Sequence, residues 1–360
     1  MKLDLELSEK KLKALRVQLI ETSDGVLLRR GRLQVTINGA HASEIVHTIL
    51  SMALTGTTAE EILASFSGSD RPDIQKLINE LEAKKILVPA ESAPVEIETA
   101  TDLLYWHFGQ QTDAVVERLN RKKITIVGVN YISRQLVAAL KASGWQNIEV
   151  VDYQLLGNLD FFDSQDRLTA HWHDQLVQPT QYDTWLSQIA SNLPDCLVVT
   201  TDFGGLQLMR LWNQFCVKQG CHFLPVVLQD FIGYVGPLVV PSETACFECL
   251  RARQNSNLDN PVLQRTAESK AFEGQLVNGF HPVMASILGD IAALELTRFY
   301  GEWMSPRVVG TLIEVNLLRP QIQPRKVLKL PRCPVCSTLN QHSSVSLNKH
   351  SFMPGHAINR

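Results

Sequence analysis

Four of the seven cysteines form two Cys-x-x-Cys pairs, Cys246 with Cys249 and Cys333 with Cys336. Each pair can place two thiolates on one metal ion from a tight turn, and two pairs supply the four soft ligands that tetrahedral zinc prefers. Two unrelated redox or buried pairs are the alternative, but the turn residues around both pairs favour a closed, structural zinc site. The other cysteines lie in or beside apolar runs and are predicted to be small buried residues: Cys196, Cys216 and Cys221.

A second candidate site begins at Gly128, in the stretch ITIVGVNYISRQL. An apolar run, a turn with glycine and an amphipathic helix are typical of a nucleotide-binding βαβ unit. Asp152 ends the next predicted strand, where a carboxylate can accept a hydrogen bond from a ribose hydroxyl or simply cap a turn. Asp202 follows a later strand, where it could hold magnesium beside phosphates or cap a helix.

The residues that follow the glycine argue against tight phosphate binding. Val129 and Ile132 are branched and Tyr131 is bulky, so they obstruct the close backbone approach that a glycine-rich loop allows. Arg134 is the nearby cation, and Arg210 lies on a later predicted helix. Tight binding of ATP and magnesium is therefore doubtful.

These candidate residues need a sheet that brings strand ends together. Between residues 122 and 236, continuous apolar strands alternate with amphipathic helices, which predicts a mainly parallel sheet covered on both faces. The segment after it carries both cysteine pairs, a long apolar helix from His281 to Tyr300, and a strand pair within residues 308–318.

The sequence pattern of residues 1–89 predicts a separate small domain of strands and helices. Three β-prone runs, RVQLIE, GVLLRRG and RLQVTING, precede three helical stretches that start near His41, Thr57 and Asp73. The second stretch opens with a capping-box pattern and the third with an aspartate as its predicted cap. Residues 90–121 are predicted to be a linker and a helix, residues 122–340 the second domain, and residues 341–360 a mobile polar tail.

The composition excludes several classes of protein. The chain has 360 residues, of which 45% are hydrophobic and 20% charged, with a formal net charge of -3. Nothing suggests bulk attraction to nucleic acid or to anionic membranes. The N-terminus is too charged for a signal peptide and no apolar run is long enough to span a membrane, so we expect a cytoplasmic protein.

The ordered motifs ITIVG, VVDYQLLGNLDFF, LVVTTD, GYVGPLVVPSETACFECLRAR and RCPVC resemble the ubiquitin-activating-enzyme-like, or ThiF, family. The resemblance implies a Rossmann-like adenylating-enzyme domain in which Asp152 binds ribose, Asp202 binds magnesium and the four paired cysteines bind zinc. Asn158 and Leu159 keep the first half of an Asn-Leu-x-Arg-Gln run, but the residues that follow, Asp160-Phe161-Phe162, do not include the Arg-Gln that would contact phosphates. Of the glycine-rich loop, Gly128 remains.

The small N-terminal domain resembles one branch of that family, the ocin-ThiF-like proteins of thiazole/oxazole-modified microcin clusters. That resemblance implies a winged-helix-like domain that binds the leader of a ribosomally made, bacteriocin-like precursor peptide. It also implies docking to a YcaO-type cyclodehydratase, and it allows a homodimer. By analogy an edge strand and an adjoining helix would contact the peptide, although the helix residues could equally be core: Leu33, Gln34, Val35, Thr36, Ile74, Leu77, Ile78 and Leu81.

Three functional hypotheses follow. The favoured one is a scaffold without intrinsic catalysis, which captures a leader peptide and presents it to a partner cyclodehydratase. The alternative is an active ATP-dependent peptide-adenylating enzyme of the same fold. An NAD-type oxidoreductase is disfavoured because the dinucleotide fingerprint needs glycines that this loop lacks.

Overall fold

The computed structural model describes residues 10–92, 99–165, 167–172, 177–269 and 279–337. The chain divides into two units, Met1–His107 and Phe108–Arg360. The predicted mobile tail, residues 341–360, lies outside the described residues.

The first unit contains two small antiparallel sheets, ordered β2-β3-β4 and β5-β1-β6. Its strands are β1 (Lys11–Ala14), β2 (Gln18–Thr22), β3 (Gly25–Arg30), β4 (Leu33–Asn38), β5 (Thr57–Thr58) and β6 (Leu87–Pro89). Its helices are α1 (Ala42–Ala53), α2 (Ala59–Ala64), α3 (Arg71–Ala83) and α4 (Ala100–His107).

The three predicted strands and three predicted helices of this unit are present, with differences at their ends. The predicted capping box exists: the Glu61 N–H donates to Thr58 Oγ1 over 3.2 Å, and the Thr58 N–H donates to Glu61 Oε2 over 2.9 Å. The predicted cap at Asp73 is wrong, because α3 already begins at Arg71 with Asp70 as its N-cap residue. The short strand β1 was not predicted, since its alternating lysines read as a charged, unstructured start.

The second unit is built on one eight-stranded sheet, ordered β14-β13-β12-β11-β10-β7-β8-β9. The strands are β7 (Ile124–Val127), β8 (Ile148–Asp152), β9 (Thr180–Gln181), β10 (Cys196–Thr201), β11 (His222–Gln229), β12 (Ile232–Val235), β13 (Thr311–Asn316) and β14 (Gln321–Lys326). The helices are α5 (Thr112–Asn120), α6 (Tyr131–Ala142), α7 (Tyr182–Gln188), α8 (Leu206–Gln219), α9 (Phe247–Asn255), α10 (Pro261–Ser269) and α11 (Pro282–Gly301).

The sheet is parallel from β9 to β11 and antiparallel from β11 to β14. The parallel half confirms the prediction for residues 122–236, and its strands are buried because helices cover both faces. The carboxyl ends of parallel strands meet at one edge, which brings together Gly128, Asp152 and Asp202. Strand β12 was not predicted, although it joins the two halves of the sheet.

The division between the units, after His107, falls within residues 90–121, for which a linker and a helix were predicted. Helix α5 belongs to the second unit because Val115 and Leu119 are fully buried and Arg118 donates to the Gly301 carbonyl over 2.9 and 2.7 Å. Among the described helices, none is both long and apolar enough to cross a membrane.

Candidate functional site

Gly128 directly follows β7 and has a backbone conformation that other residues rarely adopt. Its φ is +103°, and a Cβ atom at this position would lie 2.7 Å from the Thr200 carbonyl oxygen. The glycine is therefore required by the packing of β7 beside β10, whether or not a nucleotide binds.

Asn130 fills the inside of the loop that follows, a role that the sequence analysis missed. The side chain is fully buried, and its Nδ2 lies within hydrogen-bonding distance of the Leu156 and Thr200 carbonyl oxygens, at 3.1 and 3.0 Å. Its Oδ1 accepts the Ser133 N–H over 3.0 Å and so caps α6. One amide thus ties three segments of the chain together, and an asparagine three residues before a serine is the sequence signal for this cap.

Asp202 caps the same helix from another strand. Its Oδ2 accepts the Tyr131 N–H over 3.1 Å and the Asn158 side-chain amide over 3.0 Å. The side chain is 1% exposed, and burial raises the pKa of Asp202 to about 6. Oδ1 has no hydrogen-bond partner among the described residues. Asp202 is therefore a helix cap, but of α6 rather than of the helix that follows it in sequence, whose N-cap residue is Gly205.

These contacts occupy donors that an anion would use. The N–H groups at a helix N-terminus bind phosphate because they have no partner within the helix. In α6 the N–H of Tyr131 is bonded to a carboxylate and the N–H of Ser133 to an amide oxygen. A phosphate here would have to displace Asp202, whose negative charge would also repel it.

Aromatic side chains pack around the start of α6. Tyr131 is 7% exposed, its ring lies 4.7 Å from that of Phe161, and its hydroxyl donates to Asp160 Oδ2 over 3.1 Å. Phe280 lies on a further side of Tyr131, with ring centroids 6.0 Å apart. Within the run where the family resemblance places Arg-Gln, Asp160 and Phe161 thus supply a carboxylate and a ring that both contact Tyr131.

Neither nearby arginine is a free phosphate ligand. Arg210 donates to both carboxylate oxygens of Glu248, over 2.7 and 2.6 Å, so its charge is neutralised. Arg134 lies over the Tyr131 ring at 5.1 Å and donates to the His171 carbonyl over 3.2 Å.

Asp152 lies at the end of β8, as predicted, and one of its two carboxylate oxygens has a hydrogen-bond partner among the described residues. Its Oδ2 accepts the Gln181 side-chain amide over 2.9 Å, whereas its Oδ1 has no partner among the described residues. Burial raises the pKa of this carboxyl group. Asp152 Oδ1 and Asp202 Oδ1, which have no hydrogen-bond partner among the described residues, are therefore the atoms of this site that could contact a ligand.

The four paired cysteines form a cluster, as the sequence analysis predicted. Their Sγ atoms lie within 4.8 Å of one another, with separations of 3.9 Å for Cys246–Cys249, 3.6 Å for Cys246–Cys333 and 3.5 Å for Cys249–Cys336. A tetrahedral zinc with Zn–S bonds of about 2.3 Å needs sulfur atoms about 3.8 Å apart. The cluster therefore fits a zinc ion held by four thiolates.

The surroundings of the cluster support thiolate ligands. Cys246 is the N-cap residue of α9, where the helix dipole favours negative charge, and the Leu330 N–H points at Cys249 Sγ over 3.4 Å. The three remaining cysteines are unpaired and buried, which confirms their prediction: Cys196, Cys216 and Cys221.

The proposed peptide-contact residues of the first unit separate into surface and core. On β4, Gln34 and Thr36 are exposed, Leu33 is half-buried, and Val35 is 5% exposed. On α3, Leu77 is half-buried. The remaining three form part of the hydrophobic core and cannot contact a peptide at the surface, because every helix must bury one face: Ile74, Ile78 and Leu81.

Solved structures share this fold over most of the chain. The structure of the microcin C7 biosynthetic enzyme MccB in complex with N-formylated MccA has a TM-score of 0.65 at 16% identity, covering 91% of this chain and 100% of the other. A structure of E. coli MccB with ATP has a TM-score of 0.64 at 16% identity, with the same coverage.

A heterocyclase in complex with substrate and cofactor has a TM-score of 0.58 at 17% identity. The match covers 91% of this chain and 40% of the heterocyclase chain. Comparison with curated protein sequences finds no match. At these identities the structural likeness shows the fold alone.

The ThiF family profile matches residues 167–335. This region contains Asp202 and all four clustered cysteines, and it starts after the loop at Gly128 and after Asp152. The second unit of this chain is therefore a Rossmann-like α/β unit that contains a ThiF family domain.

Proposed function

We propose that this protein binds the leader of a ribosomally made precursor peptide and presents the peptide to a YcaO-type cyclodehydratase for azoline or azole formation. The first unit would bind the leader, and the ThiF-containing unit would serve as the docking scaffold without catalysing adenylation. The observation that carries the non-catalytic part of the proposal is the contact between the Tyr131 N–H and Asp202, because it occupies a donor at the helix end that an ATP-dependent enzyme would use for phosphate.

An open strand edge in the first unit supports peptide binding. Among the described residues, β4 pairs with β3 alone. Arg30 and Leu33 flank a two-residue turn and so form a hydrogen-bonded pair, and bonded and non-bonded pairs alternate from there. The backbone N–H and C=O groups of Gln34 and Thr36 therefore point away from β3, where an extended peptide can add as a new strand.

The side chains of Gln34 and Thr36 are also exposed, which leaves room for a partner strand. The other edge of the same sheet, β2, offers an internal comparison. By the same alternation from the Thr22–Gly25 turn, the backbone of Leu19 faces outward there. A proline at Thr36 or at Leu19 removes one backbone N–H that points away from β3 and leaves the hydrogen bonds to β3 intact.

The test starts from a displayed library of random peptides selected on the full chain. Peptides enriched by the wild type are labelled and titrated by fluorescence anisotropy. We expect Thr36→Pro to weaken binding by at least about tenfold, and Leu19→Pro to leave it within about twofold. Equal binding to Thr36→Pro and wild type would refute the β4 site. Co-elution with a YcaO-type enzyme encoded beside this chain tests the second half of the proposal.

An active peptide-adenylating enzyme is the second candidate. It is favoured by the unpaired Oδ1 atoms of Asp152 and Asp202, which could accept a hydroxyl and a magnesium ion. Structures of E. coli MccB with ATP and with AMPCPP share the fold. Calorimetric titration with ATP and magnesium decides between the two. Micromolar binding that disappears in Asp202→Ala would favour the enzyme, and absence of heat would favour the scaffold.

A further inference from the structure

Six basic residues converge at the β3–β4 turn, and we call them the basic cluster. They come from three separate segments: Arg16, Arg29, Arg30, Arg32, Lys84 and Lys85. Two hydrogen bonds hold these segments together. Arg30 Nη1 donates to the Lys85 carbonyl over 3.2 Å, and the Leu15 N–H donates to the Ile86 carbonyl over 3.0 Å. The end of α3 therefore lies beside the turn that leads into β4.

Five of these six side chains are exposed: Arg16, Arg29, Arg32, Lys84 and Lys85. None of the five has an ion-pair or hydrogen-bond partner among the described residues. Arg30 is the anchor, since its guanidinium lies 4.0 Å above the Trp106 ring. Glu82, an acid on the last turn of α3, is already paired with Lys10 over 2.8 Å. The cluster thus concentrates positive charge without internal compensation.

The cluster lies at the Leu33 end of the open β4 edge, because Arg30 is the partner of Leu33 across the turn. Like charges held together repel, and an anionic partner relieves that repulsion while being steered toward the site. We infer that the peptide bound along β4 carries a group of acidic side chains at the end that lies beside the basic cluster. This inference rests on the proposed peptide binding and specifies its substrate class.

The test uses the same displayed library, with peptides of about 12 residues, long enough to pair with β4 and extend past the turn. Selection is run on the full wild-type chain and on a variant with Arg29→Gln, Arg32→Gln, Lys84→Gln and Lys85→Gln. We expect the wild type to enrich peptides with two or more Asp or Glu residues at one end. The variant should lose that acidic enrichment.

A labelled, enriched peptide then gives the affinity. We expect the four-residue variant to weaken Kd about tenfold, and a change from about 50 to about 300 mM NaCl to do the same for the wild type. The charge-matched control carries Lys11→Gln, Arg71→Gln, Lys76→Gln and Arg319→Gln, all exposed residues outside the cluster, and should stay within about twofold. Circular dichroism checks that both variants fold.

The outcomes separate this inference from the function on which it rests. Enriched peptides without acidic groups, or equal loss in the variant and its control, would overturn the inference while peptide binding stands. If the wild type enriches no peptide at all, the proposed function fails and the inference fails with it.

Discussion

The backbone N–H of Tyr131 donates to Oδ2 of Asp202 over 3.1 Å, so a carboxylate from the end of β10 caps the helix that starts after β7. The same carboxylate oxygen accepts the Asn158 amide. This arrangement holds together the loop after β7, the start of α6 and the segment around Asn158.

Replacing Asp202 should change how stability depends on pH. Burial raises the pKa of this carboxyl group to about 6, above its unfolded value of about 3.9, so the folded state prefers the protonated form. Its contribution to stability is full below about pH 4 and is lost as the pH rises through about 6. As the pH rises from about 5 to about 7.5, we expect the free energy of unfolding of Asp202→Asn to increase by about 1 kcal/mol relative to that of the wild type.

Denaturant unfolding at the two pH values measures this change. The contribution of Asp152 to the pH dependence cancels in the difference between variant and wild type; its pKa is also raised. Asp259→Asn, at an exposed position, is the control and should show no such difference. If the difference in free energy of unfolding between Asp202→Asn and the wild type were the same at both pH values, the prediction would be contradicted.

Gly128→Ala should destabilise the second unit through a steric clash. The new Cβ atom meets the Thr200 carbonyl oxygen at 2.7 Å and the backbone φ is +103°. We expect a loss of about 3 kcal/mol in the free energy of unfolding. Gly220→Ala has a positive φ of +78° but no atom within 4 Å, so it should cost only about 1 kcal/mol. Equal losses would mean that backbone strain, and not the clash, requires Gly128.

The cysteine cluster should bind one zinc ion per chain. Cys333→Ser removes one of four thiolates, so we expect the purified variant to lose most of its zinc and to unfold at a lower temperature. Mass spectrometry of the metal content measures this loss. Cys221→Ser, a buried cysteine outside the cluster, should keep its zinc. Zinc retained by Cys333→Ser would show that the cluster is not a four-thiolate site.

The pair between Arg210 and Glu248 should stabilise the contact between α8 and α9. The Glu248 side chain is 8% exposed, so Arg210→Met leaves a buried carboxylate unpaired, at a cost of about 2–3 kcal/mol. The double variant Arg210→Met, Glu248→Met removes that unpaired charge and should recover most of the loss. Urea unfolding of both variants measures the two values. A double variant no more stable than Arg210→Met would contradict the ion-pair explanation.

Regular elements with a strong period were predictable, and irregular ones were not. Helix α8 spans the predicted residues 206–219, and the parallel strands were recognisable as continuous apolar runs. Strand β12 was not, because Ile232-Gly233-Tyr234-Val235 is short and contains glycine. A larger residue does not fit at Gly233, because its Cβ atom would lie 2.2 Å from Leu288 Cδ2, and these two residues are far apart in sequence.

The candidate site shows the same division. Residue types and spacing alone predicted the zinc ligands, since two Cys-x-x-Cys turns carry their chemistry locally. They also predicted that Asp152 and Asp202 end strands of one sheet. For Ile74, Ile78 and Leu81 the sequence left a peptide surface and the core as alternatives, and the structure places them in the core, because which face of α3 is buried depends on the strands that pack against it.

The sequence by itself determined the alternation of strands and helices, the four-cysteine cluster and the absence of a glycine-rich loop after β7. The tertiary structure decided what replaced that loop. Asn130 bonds to Thr200 and Tyr131 bonds to Asp202, partners that are 70 and 71 positions apart. Hydrogen-bond partners at such separations are chosen by the order of strands in the sheet, and that order is a property of the folded chain.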